Sequence, residues 1–228
     1  MARLSRLSLP GELHHVVQRG HDRQAVFRDD TDRLDFLQAL RDQSHEWRVG
    51  VHAYVLLDTE IHLLVTPSSE GALGRLMQGL GRRYVAAHNR RHGRGGTLWE
   101  GRYRASILES ERFLKAAVLL AWLPVQAGLA SEPEGWRWSS ARHQLGMLRD
   151  PLIVDHAHYW QLGNTPFDRE LAFRQALEQG LSSRESDELM GAALKSWALG
   201  SPAFLGRLAA LTERPLAPRP RGRPRKQP

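Results

Sequence analysis

The stretch VGVHAYVLLDTEIHLLVT, residues 49–66, decides how this chain folds. Alternate residues of an extended chain point to opposite faces, so Val49, Val51, Ala53, Val55 and Leu57 line one side. His52, Tyr54 and Leu56 line the other. A strand apolar on both sides is expected in the middle of a sheet. Asp58-Thr59 makes a tight turn, and 61–66 returns as a second strand, which predicts a hairpin.

Upstream, Leu13-His14-His15-Val16-Val17-Gln18 reads as a first strand closed by Arg19-Gly20-His21-Asp22. Asp29, Asp30 and Asp32 supply an N-cap and first-turn acids for a helix. Its stripe is Leu34, Phe36, Leu37 and Leu40, ending near Glu46. Downstream, Leu73, Leu76, Met77, Leu80, Tyr84 and His88 fall at helical spacing to about Arg91. The residues 98–108 read as a strand or an irregular extended segment, and 113–123 as an apolar helix stopped by Pro124. Strand–helix–strand–strand–helix–strand predicts an α+β fold with a ferredoxin-like antiparallel sheet. Beyond it, 169–179 and 183–194 read as small helices, and the Pro/Arg-rich 215–228 is expected to be disordered alone. The expected division is a core domain over 1–145, an irregular linker over 146–167, a helical extension over 168–213 and a basic tail over 214–228.

The 228 residues carry 32 Lys+Arg against 25 Asp+Glu, a net charge of +7. The charge is concentrated: 75–104 holds +7 and 214–228 holds +6, leaving the remainder at −6. Nearly all these cations are Arg, which pairs bidentately with phosphate and stacks on bases, so a polyanion partner is expected. There is no Cys, which excludes disulfides, thiolate metal sites and Cys nucleophiles. No apolar run approaches the ~20 residues of a membrane span, and 1–10 lacks the apolar core of a signal peptide. The expected location is the bacterial cytoplasm, in association with the nucleoid and without membrane contact.

Three segments carry chemistry. Glu60-Ile61-His62 places a carboxylate and an imidazole on one face of a strand, where they either share a divalent ion or form a simple polar pair. Arg90, Arg91 and Arg94, followed by Trp99, Arg102, Tyr103 and Arg104, interleave cations with aromatics, as a single-strand or hairpin groove does. Trp99 and Tyr103 serve equally well as core residues. The tail Pro220-Arg221-Gly222-Arg223-Pro224 matches the core of an AT-hook, an extended segment whose Arg221 and Arg223 reach along an A/T-rich minor groove while Gly222 lets the backbone sit close. Walker, Rossmann, His-Glu-x-x-His and nucleophile-elbow motifs are absent from the sequence.

The order of segments adds a resemblance. Pro10-Gly11, His15-Val16 and Arg19 through Phe27, then His52-Ala53-Tyr54, His62-Leu63-Leu64-Val65, Asn89 through Gly93, Gly101-Arg102-Tyr103, Pro124 through Leu129 and Trp138-Ser139-Ser140, resemble REP-associated tyrosine transposases. These are single-tyrosine transposases acting on single-stranded DNA hairpins. The resemblance covers about 10–145 and implies a ferredoxin-like sheet with helices on one face. It also implies four catalytic groups: two metal-binding histidines, a nucleophilic Tyr and an Asn ligand one turn later. Those positions hold Glu60, His62, Leu119 and Leu123, so only His62 is retained.

The resemblance with these substitutions predicts a DNA-binding protein of the transposition and recombination machinery without strand cleavage. Its expected contacts are Arg82, Arg83, Arg90, Arg91, Arg94, Arg102 and Arg104 for hairpin or single-stranded DNA, and the tail for A/T-rich duplex. No catalytic residue is expected. Glu60 and His62 would hold Mg²⁺ or Mn²⁺ if a residual site remains. The alternative is a residual metal-dependent transposase or nickase, and a third possibility is an adaptor built on 168–211.

Overall fold

The computed structural model describes residues 6–218; the tail motif at Arg221, Gly222 and Arg223 lies outside the described residues. The elements run β1 (Leu13–Arg19), α1 (Asp30–Glu46), β2 (Val49–Leu56), β3 (Glu60–Pro67), α2 (Ala72–Arg91), β4 (Arg104–Leu108), α3 (Phe113–Gln126), α4 (Ala141–Gln144), α5 (Ala157–Trp160), α6 (Pro166–Gln179), α7 (Ser183–Lys195) and α8 (Pro202–Ala209). The four strands pair antiparallel in the order β2-β3-β1-β4, the ferredoxin-like arrangement expected of the pattern.

The hairpin is present, but β2 lies at the edge of the sheet and not in its middle. A strand apolar on both faces can sit there because later chain covers its open side. Leu56 N–H donates to Trp138 O (2.9 Å), Ser140 N–H to Tyr54 O (3.0 Å) and Val154 N–H to Val51 O (2.8 Å). The simple alternation also fails. A register shift between Val51 and Ala53 brings Val49 and Val51 onto the face of Tyr54 and Leu56. Ala53, Val55 and Leu57 turn to the opposite face. The residue at the irregularity, His52, bonds Val154 O (2.6 Å) through Nδ1 and Thr66 Oγ1 (2.9 Å) through Nε2.

Both faces of the sheet are covered, where the family resemblance implied helices on one. On the first, Phe36 and Leu40 of α1 and Leu73, Leu76, Leu80 and Tyr84 of α2 pack on Val16, Ile61, Leu63 and Val65. Leu34 is exposed, because the buried stripe of α1 runs through Asp32, Phe36 and Leu40. On the second, α3 packs on Leu13, Val55, Leu64 and Leu108, and the extension adds Phe173 of α6 and Leu189 of α7 to this core. Pro124 does not end α3, which continues to Gln126. One further turn is stabilised by Ala127 N–H donating to Leu123 O (2.9 Å) and Leu129 N–H to Pro124 O (2.8 Å).

Local signals explain most helix starts. Asp29 accepts from Asp32 N–H (3.0 Å) at the head of α1. Thr165/Asp168 and Ser182/Glu185 form capping boxes for α6 and α7. The extended reading of 98–108 holds as strand only over 104–108. Trp99 and Tyr103 are buried in the first core, so their rings are not available for stacking on bases. Among the described residues no helix is long and apolar enough to cross a membrane.

Candidate nucleic-acid interface

Two polar regions carry the sequence-predicted residues. The first lies on the α3 side of the sheet, where Glu60 opens β3 and His62 follows two residues later on the same face. His62 Nε2–H donates to Glu60 Oε1 (3.1 Å), and Arg19 Nε–H donates to Glu60 Oε2. With its Nε2 proton committed, His62 Nδ1 accepts from Nε2–H of His15 at 3.0 Å. Hydrogen order then leaves His15 Nδ1 a bare lone pair, and it has no partner among the described residues. Ser106, the β4 register partner of His15, is also buried with its hydroxyl unpartnered.

The electrostatics of this chain follow from burial and contact. Burial pushes the Glu60 carboxyl up, but the hydrogen bond from His62, then the Arg19 guanidinium, outweigh it and hold it at about 2. Burial, reinforced by His62, keeps the His15 imidazole neutral by lowering its pKa well below the usual histidine value.

This donor set does not fit a divalent cation. The position that the resemblance gives to the third ligand, Leu123, is buried hydrocarbon, which leaves one carboxylate and one imidazole, too few protein ligands for such a site. Leu119 is 1% exposed in the core beneath α6 and α7, beside a 200 Å³ cavity lined by Trp122, Leu181 and Ser186. No displaced tyrosine takes its place. Tyr54 donates to Asp150 (2.7 Å), Tyr84 to Val26 O and Tyr159 to Gln144 O (2.9 Å). Tyr54, Tyr84 and Tyr103 belong to the core on the other face. Burial raises all four phenol pKa values, with Tyr159 pushed up to about 12.

The second region is an open track of three adjoining grooves of 570, 520 and 480 Å³. Arg6, Arg102 and Tyr103 are shared by the first two, and Arg75 and Gln78 by the second and third. Arg104, Lys195 and Arg214 line one end, and Arg82 and Arg83 the other. Most of these cations lack a carboxylate partner among the described residues: Arg6 stands 4.3 Å over the Tyr103 ring and Arg75 4.8 Å over Trp47. Arg104 donates to Leu194 O (3.1 Å) and also meets the Glu100 carboxylate at 4.0 Å, and Arg214 donates to Ser196 O (2.7 Å) with Nε and Nη1 unpartnered among the described residues. Burial lowers the Arg214 pKa.

The predicted arginines therefore divide. Arg82, Arg83, Arg102 and Arg104 line the track, but Arg90, Arg91 and Arg94 sit at the far end of α2. Arg91 is bound by Asp29 (2.6 Å) and Asp32 (2.9 Å), and Arg94 donates to Gln24 (2.7 Å). Arg83 pairs with Asp42 (3.2 Å). Arg82, Arg90 and Arg102 are exposed and meet no carboxylate among the described residues. The sequence reading did not assign Arg6, Arg75, Lys195 or Arg214 to a site. Only the excess of Arg around 75 and 214 signalled two of them.

Residues 12–116 match the family described as "Transposase IS200 like", a match that ends before Leu119 and Leu123. No curated protein matches the chain. The structure of a REP-associated tyrosine transposase bound to a REP hairpin superposes with a TM-score of 0.56 at 13% identity, covering 68% of this chain and 91% of that one. It has the same fold. A Deinococcus radiodurans protein assigned to the transposases aligns at 22% identity over 46% of this chain and 84% of that one, with a TM-score of 0.35. The tRNA(His) guanylyltransferase of Saccharomyces cerevisiae aligns at 15% identity over 82% and 79%, with a TM-score of 0.37. These two superpose too loosely to bear on the fold. Residues 12–116, which contain the β2-β3-β1-β4 sheet, thus carry the likeness to the IS200-like transposases.

Proposed function

We propose that the chain is a DNA-binding protein that holds hairpin or single-stranded DNA along the basic track and does not cleave it. The observation that carries this reading is the contrast between a line of cations, most of them without a carboxylate partner among the described residues, and the hydrocarbon at the implied nucleophile position, Leu119. Guanidiniums at Arg6, Arg102 and Arg104 suit successive phosphates, and the unpartnered donors of Arg214 suit an anion at the end of the track. The hairpin bound by the similarly folded transposase supports this choice of DNA. Arg82 and Arg90 extend the contact; Arg83, Arg91 and Arg94, already held by other side chains, contribute less. The tail, through Arg221, Gly222 and Arg223, would add an A/T-rich minor-groove contact, and the location would be the bacterial nucleoid. On this reading 168–213 is an extension that supplies one wall of the track through Lys195.

The test is one incubation of the full chain with end-labelled hairpin DNA and Mn²⁺, run on native and denaturing gels. A shifted native band without cleavage or adduct is expected. A denaturant-resistant adduct or cleaved product would overturn the non-cleaving reading in favour of a residual transposase or nickase. Absence of any shift at low salt would overturn DNA binding itself.

A further inference from the structure

A second polar cluster lies away from both regions, where the C-terminal end of α2 meets the first turn of α1. His88 and His92 are four residues apart, so a helix puts both imidazoles on one side, with ring centroids 4.6 Å apart. Asp32 faces them from α1. One donor atom from each of Asp32, His88 and His92 lies within 4.8 Å of the other two.

His88 is the unexplained member. It is 1% exposed, and neither ring nitrogen has a hydrogen-bond partner among the described residues. Two bare polar atoms in an apolar core are costly unless something binds there. Its Nε2 is 3.9 Å from Asp32 Oδ2, and His92 Nε2 is 2.9 Å from the same oxygen. These separations bracket the donor–donor edge of about 3.3 Å in a tetrahedron with metal bonds of about 2.0–2.1 Å. Small side-chain rotations suffice to meet it. The carboxylate is already oriented by outer partners: Oδ1 accepts from Arg91 (2.9 Å), and Oδ2 accepts from Arg28 N–H (2.8 Å) with one lone pair left over. The His92 side chain is 13% exposed, which opens an entry path and a fourth position for water.

We propose that Asp32, His88 and His92 bind one divalent cation of the zinc type, with water as fourth ligand. Two imidazoles and one carboxylate are a borderline donor set that prefers such an ion to Mg²⁺ or Ca²⁺. Its effect would be to clamp α1 to α2 at the root of the 92–96 loop. On binding, the His92 hydrogen bond to Asp32 breaks, the proton moves by exchange with water from Nε2 to Nδ1, and the freed Nε2 lone pair takes the metal.

The test is calorimetric titration of metal-free full chain with Zn²⁺, followed by Co²⁺ loading read as visible d–d absorption. One equivalent and a tetrahedral Co²⁺ spectrum are expected. His92→Asn at the half-open position and His88→Phe, which keeps the buried ring volume, should each weaken Zn²⁺ more than about 100-fold while circular dichroism shows folded protein. His62→Gln should leave the equivalent in place. Absence of uptake, uptake unchanged in folded His92→Asn, or uptake lost in His62→Gln would each overturn the proposal.

Discussion

The two regions that carry the sequence-predicted residues treat their charges in opposite ways. On β1 and β3 the chain Arg19–Glu60–His62–His15 closes on itself beneath covering helices, each link donor to acceptor, with the Nδ1 lone pair of His15 left unpartnered among the described residues. Along the track, Arg6 and Arg75 are positioned by aromatic rings, Arg104 by a carbonyl with Glu100 4.0 Å away, and Arg102 meets no carboxylate among the described residues. A guanidinium beside a carboxylate is already paired, whereas one beside a ring keeps its attraction for phosphate. What separates the face of Glu60 and His62 from the proposed DNA track is thus which neighbours the cations have.

The sharpest separation should come from stability. Leu119→Ala removes fully buried hydrocarbon next to an existing cavity and should cost about 2–5 kcal/mol in denaturant unfolding. Hairpin affinity of the protein that remains folded should stay unchanged. Next is the acid limb. The Glu60 carboxyl falls from an unfolded value of 4.5 to about 2, so its contribution is fully present above pH 4.5 and lost as pH falls towards 2. It amounts to about 2–3 kcal/mol at neutral pH. Glu60→Gln should remove that part of the pH dependence in urea titrations, again without effect on DNA. A steep limb that persists in this variant would mean the closed chain is not what the acid breaks.

On the open side the order reverses. Arg102→Ala combined with Arg104→Ala should weaken hairpin binding about 10–100-fold at fixed salt, and flatten the salt dependence by roughly 0.7–0.9 per lost phosphate contact. Equal affinity for variant and parent in a filter-binding series would remove the track as the site. The smallest effect belongs to Arg83→Ala, whose exposed pairing with Asp42 should move stability by less than about 0.5 kcal/mol and binding by less than twofold.

Much of this molecule is legible in its sequence alone. Alternation in 49–66, the Asp29 cap and the 73–88 stripe give the element order, because each is a local signal. What failed depended on chain far away in sequence. β2 reads as central because both faces are apolar, and only residues 138–154 reveal that its open side is covered. The substitution of the groups that the resemblance implies is readable at Leu119 and Leu123, but not the closure of Arg19 onto Glu60, a cross-strand contact. The track draws Arg6, Arg75 and Lys195 from three separate segments, so no window of sequence contains it. Local runs such as 90–94 attracted attention instead, although Arg91 is held by Asp29 and Asp32 from α1.

The bridges on the outer strands have a consequence for keeping the chain in solution. β2 is bridged at Val51 by Ile153 and at Val55 by Ser139, and β4 at Leu108 by Leu199. A row of unsatisfied N–H and C=O groups on an outer strand invites a neighbouring copy to add its own strand and seed cross-β aggregates. Here segments from later in the chain occupy part of each row. A fragment ending at residue 145 would lose Ile153 and Leu199 together, and should sediment as aggregate where the longer chain stays dispersed.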